Sequence, residues 1–83
     1  MPSGGLNKSL HSPAYDRFLK LLRKAREDAG QTQEQAAKRL KKHQSFVSKC
    51  ESGERRVDVV ELIAFCGAYG VSAEKFVRRL ASN

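Results

Sequence analysis

Apolar side chains recur at Tyr15, Phe18, Leu19, Leu22 and Ala25, with Ala29 following. Intervals of three and four put such residues on one face of a helix. Ser12 suits the cap of this helix and Pro13 its first position, where a missing N–H costs nothing. Gly30 supplies the stop. A second helix opens at Thr32, which forms a capping box with Gln35 three positions later. Ala36, Ala37 and Leu40 make its narrow inner stripe. After Lys41 and Lys42, the stretch "HQSFVSKCESG" (43–53) predicts a third helix, short and polar.

"DVVELIAFCGAYG" (58–70) predicts a fourth, with Asp58 as cap and Glu61 as a favourable acid in the first turn. Val59, Leu62, Ile63 and Cys66 are its expected buried side, and Gly70 closes it. Ser72 caps the last helix, in which Phe76, Val77 and Leu80 are expected to face inward. Arg78 and Arg79 suit its negative C-terminal end. No alternating strand pattern occurs and no segment repeats. The pattern therefore predicts an all-α domain of five short helices. Residues 1–11, "MPSGGLNKSLH", lack periodicity and read as a flexible N-terminal arm, which leaves 12–83 as a single domain.

Composition narrows the function. At 83 residues the chain suits one small domain. A domain of this size buries only about 60–65% of its unfolded surface, which leaves little core for a deep catalytic cavity. Sixteen Lys and Arg against nine Asp and Glu give a net charge of +7, favouring a polyanionic partner. No apolar run approaches the ~20 residues needed to span a bilayer. A membrane-surface helix would need its apolar stripe exposed, whereas these stripes are needed for a core. The N-terminus lacks a signal-peptide core, so a cytoplasmic location is expected. Cys50 and Cys66 read as small buried thiols. With His11 and His43 they lack the paired spacing of a zinc site, so neither metal nor cofactor is expected. No Gly-rich phosphate loop or nucleophile elbow occurs, which argues against an enzyme.

The third helix then acquires a use. Val47 and Cys50 are positioned to face Ala37 and Leu40, and the small Ala37 lets the two helices approach. Gln44, Ser45, Ser48 and Lys49 then share the opposite side. Their donors and acceptors are those needed to read base edges in a major groove, where Gln pairs with adenine and Lys with guanine acceptors. Residues 38–56 carry a net +5 of the chain's +7, a cationic rim of the kind that phosphate neutralisation requires. The alternative is a merely solvated polar face.

"TQEQAAKRLKKHQSFVSKCESGERR" followed by "VVELIAFCGAYGVSAEKFV" resembles the Cro/C1-type (XRE) helix-turn-helix family of bacterial and phage regulators. The resemblance covers residues 18–80 and rests on Thr-Gln-x-x-x-Ala, Val-Ser-x-x-Glu-x-Gly and Gly-Val-Ser. It implies a compact five-helix, lambda-repressor-like fold that binds double-stranded operator DNA, usually as a homodimer on a palindromic site. It implies base reading by Gln44, Ser45 and Lys49, with Ser48 beside them on base or backbone. Gln33, Ser52, Arg55 and Arg56 match phosphate-contacting positions, with Lys42 in the same rim, and Gln33 is also placed to support Gln44. Arg26 and Glu51 match a salt bridge between the first and third helices.

The chain departs from the pattern in two places. Lys41 stands where many members have a turn glycine, and Cys50 replaces a larger aliphatic residue, which predicts a looser joint. Phe46 either packs on the fourth helix, the favoured placement, or is exposed toward a thymine methyl. Surplus apolar residues Tyr69, Val71, Phe76, Val77 and Leu80 suggest a two-fold interface, the alternative being that all are core. The leading expectation is a sequence-specific transcriptional regulator, with a restriction-modification controller as a subtype. A protein-interaction module, such as an antitoxin that grips a toxin, is the alternative.

Overall fold

The structure, a computed structural model, describes residues 12–82; the arm expected over 1–11 lies outside them, as does Asn83. The described residues form five helices and no strand: α1 (Pro13–Asp28), α2 (Gln33–Leu40), α3 (Gln44–Ser52), α4 (Val59–Tyr69) and α5 (Ala73–Ser82). None is long and apolar enough to cross a membrane.

The caps read from the sequence form as expected. Ser12 Oγ accepts from the Tyr15 amide at 3.1 Å, and Pro13 opens α1. The Thr32–Gln35 capping box closes in both directions, at 3.1 and 2.9 Å. Asp58 and Glu61 form a second box, at 2.7 and 3.0 Å. Ser72 Oγ accepts from the Lys75 amide at 3.2 Å. Between α2 and α3 the chain turns through Lys41 at φ 58° and ψ 45°, the left-handed region. Lys41 is the one non-glycine residue with positive φ among those described. The cost for a residue with a Cβ is about 1–2 kcal/mol. Amides of Lys41 and Lys42 bond the Lys38 and Ala37 carbonyls across the turn, at 3.1 and 2.9 Å. The turn thus keeps its geometry without a glycine.

The core joins all five helices. Phe65, Leu22, Val47, Cys50 and Cys66 are its largest fully buried side chains. Phe18 meets Phe76 edge-to-face at 5.8 Å between ring centres, joining α1 to α5. Each fully buried Leu, Val or Phe contributes about 1.5–3 kcal/mol. Ala36 and Ala37 are buried on α2, and α3 lies directly on them through Val47 and Cys50. The small α2 residues allow the close crossing expected of a helix-turn-helix.

Two assignments of facing need correction. Val59 and Ile63 are exposed (68% and 57%); the inner stripe of α4 is Leu62, Phe65, Cys66 and Tyr69. Nearly every α4 residue is apolar, so the pattern marks a helix without fixing its rotation. On α5, Val77 is exposed while Phe76 is buried and Leu80 half-buried.

Candidate nucleic-acid interface

α3 divides as its sequence suggests. Val47 and Cys50 are fully buried, and Gln44, Ser45, Ser48 and Lys49 are all exposed. The helix starts at His43, whose side chain makes no capping bond, and stops at Gly53 with φ 85°. Beside its outer face lies a depression of about 570 Å³ lined by Lys41, Lys42, His43, Ser45, Phe46, Lys49 and Arg55. Four of those side chains are cations; Arg55 is paired with Glu61, and Lys41, Lys42 and Lys49 leave the hollow positive, which suits a polyanion. Lys41 and His43 belong to it although the sequence named neither among the expected DNA contacts. Each falls in the turn or cap, and only the fold brings them beside Lys49.

The base of α3 is held by one buried carboxylate. Glu51 is 5% exposed. Arg26 grips it bidentately, Nε to Oε2 at 2.6 Å and Nη2 to Oε1 at 3.0 Å. Arg26 also donates to the Gln31 carbonyl at 2.8 Å, and Arg23 stands 3.5 Å from Glu51. Burial pushes the Glu51 carboxyl up. Hydrogen bonds from Arg26 and Gln33 and the nearby cations outweigh burial and hold it below the usual carboxylate range. The salt bridge between α1 and α3 therefore forms where the resemblance implied.

Glu51 reaches the reading surface through Gln33. Gln33 Nε2 donates to Glu51 Oε1 at 3.0 Å, and Gln33 Oε1 accepts from Gln44 Nε2 at 3.5 Å. An ionised carboxylate can only accept, so it fixes which end of the Gln33 amide faces it. The Gln33 oxygen is then turned toward Gln44, whose own oxygen and second N–H stay available outward. Gln33 thus supports Gln44, while its amide is already engaged on both sides.

The remaining expected phosphate contacts separate. Lys42 is exposed beside the depression. Ser52 is exposed, but its hydroxyl donates to the Lys49 carbonyl at 3.1 Å and accepts from the Glu54 amide at 3.2 Å, which ties off the turn. Arg56 lies over the Tyr15 ring of α1 at 4.3 Å. Arg55 is paired with Glu61 of α4 at 2.8 and 3.0 Å. That partner went unseen in the sequence because Glu61 already had a role in the α4 cap.

Phe46 packs on α4, its ring nearly parallel to Phe65 at 5.9 Å. Lys42 and Arg55 lie against the same Phe46 ring, at 5.2 and 4.9 Å. At the joint where Cys50 replaces a larger aliphatic, Cys50 is fully buried in the core. Burial pushes both thiols, Cys50 and Cys66, above their ordinary range. Of the residues suggested for a two-fold interface, Tyr69 and Phe76 lie in the protomer's own core. Each fills space against its neighbours, Tyr69 beside Phe65 and Phe76 against Phe18, and neither can face a second copy. Val71 and Val77 are exposed and Leu80 is half-buried.

Comparison with known proteins agrees with this geometry. The model of a helix-turn-helix domain family matches residues 17–80. A solved structure of an XRE-family like protein from Pseudomonas syringae pv. tomato str. DC3000 superposes with a TM-score of 0.84 at 42% identity, covering 93% of this chain and 94% of that one. No curated protein matches. On the family match and the structural relative together, the chain belongs to the XRE family of helix-turn-helix proteins.

Proposed function

We propose that the protein is a sequence-specific DNA-binding transcriptional regulator that lays α3 in the major groove of an operator. The observation that carries this reading is the exposed set Gln44, Ser45, Ser48 and Lys49 on a helix bordered by a cationic hollow. Gln44 keeps one acceptor and one donor outward, the pair that matches adenine N6 and N7. Ser45 and Lys49 line the same hollow, and Lys49 suits guanine O6 and N7. Lys41, Lys42 and His43 lie where flanking phosphates would run.

We further propose a homodimer on a palindromic site. Its apolar contact is formed by exposed side chains: Val59, Val60 and Ile63 on α4, with Val71 and Val77. Two copies of α3 would then read half-sites about 34–36 Å apart.

Titration of labelled duplexes across a salt series tests the first claim. The expected result is a steep loss of affinity with salt and stronger binding to one sequence than to random duplex. Binding to a protein partner with no preference among duplexes would favour the interaction-module reading instead.

A further inference from the structure

Arg55 has the sequence position of a phosphate contact and the surroundings of something else. Its Nη1 donates to the Arg56 carbonyl and to Glu61 Oε1, both at 3.0 Å, and its Nη2 to Glu61 Oε2 at 2.8 Å. Three of a guanidinium's five N–H donors are thus committed. The Arg55 plane lies against Phe46, 4.9 Å from its ring centre. Phe46 in turn stacks on Phe65 in the core. Glu61 is itself fixed, since its Oε1 accepts from the Asp58 amide at 3.0 Å at the start of α4. One carboxylate therefore connects the α4 cap, the α3–α4 loop and the first turn of α3. Phe46 sits directly after Gln44 and Ser45, so what holds Phe46 sets the position of both.

We propose that Glu61 is a positioning residue for DNA recognition: it holds Arg55 on Phe46, fixing the first turn of α3, and keeps the Arg55 charge off the phosphates. This inference rests on the DNA reading above. It reverses the plain expectation for a cation in this loop. Arg55 contributes order to the reading helix, and Glu61 limits sequence-independent attraction at its edge.

Glu61→Gln is the informative change, because glutamine still serves the capping box while losing the charge that grips Arg55. Salt dependence of binding to a random-sequence duplex is measured for wild type, Glu61→Gln and Arg55→Ala. Wild type and Arg55→Ala are expected to share one slope of log affinity against log salt. Glu61→Gln is expected to steepen that slope by about 0.9, one added phosphate contact. It is also expected to narrow the preference for the best duplex over random duplex. A slope that falls by about one in Arg55→Ala and stays unchanged in Glu61→Gln would overturn the proposal.

A DNA-free measurement separates this from failure of the DNA reading itself. Side-chain protons of Arg55 should show an upfield ring-current shift in wild type that both Glu61→Gln and Phe46→Leu remove. If wild type binds no duplex yet shows the shift, the clamp stands and the DNA reading falls. If the shift is absent from wild type or survives Glu61→Gln, the clamp falls.

Discussion

At the scale of single residues, Lys41 and Gln44 show how far side-chain chemistry can be read from sequence. The sequence marked Lys41 only as standing where the resembling family often has a turn glycine, which left open a strained or an altered turn; the structure shows the left-handed conformation at φ 58°. Lys41→Gly should raise stability by about 1 kcal/mol in urea unfolding, because glycine reaches this region without a Cβ clash. An unchanged or lower midpoint would mean that the lysine stem repays the strain by packing. Gln44→Ala should remove preference at one base position in each half-site, a loss of about 1–3 kcal/mol there. Equal weakening on all duplexes would make Gln44 a backbone contact. The Gln33 support was legible, but the reason for its orientation was not. It depends on a carboxylate eighteen positions away being buried and ionised, which only the fold provides.

At the scale of elements, the seating of α3 depends on α1 as much as on α2. Removing one partner of a buried ion pair typically costs about 3–5 kcal/mol, because the other is left uncompensated. Glu51→Gln should fall in that range in denaturant unfolding and should also loosen Gln44 through Gln33. The pH dependence has a definite sign. The folded carboxyl lies below its ordinary value of 4.5, so its stabilisation is fully present above that value. It is lost as pH falls through the lower folded value. The stability difference between wild type and Glu51→Gln should therefore hold steady from neutral pH to about pH 5.5 and shrink on further acidification. A difference that grows on acidification would contradict the pairing. Helix limits and caps were legible because Ser12, Thr32, Asp58 and Ser72 have side chains suited to orphan amides. The rotation of α4 was not, because "VVELIAFCGAY" offers apolar residues on every side. Its true inner face is set by where α1, α2 and α5 meet it.

At the scale of the whole molecule, the five-helix order and a concentration of charge around α3 were both legible. The dimer surface was legible only as an excess of apolar residues. The protomer core takes Tyr69 and Phe76 and leaves Val59, Val60, Ile63, Val71 and Val77 outside. Sedimentation at micromolar concentration should find a dimer that Ile63→Asp or Val77→Asp dissociates, with little change in the fold by circular dichroism. A wild-type monomer would remove the two-fold claim and leave α3 as a single reading head. The central claim, that α3 reads sequence, is tested most directly by selecting bound sequences from a random duplex library with wild type and Gln44→Ala. The account predicts a palindromic consensus for wild type, with half-site centres about one helical turn apart, and loss of one symmetric position in the variant. No enrichment with wild type, or the same consensus with both, would contradict it.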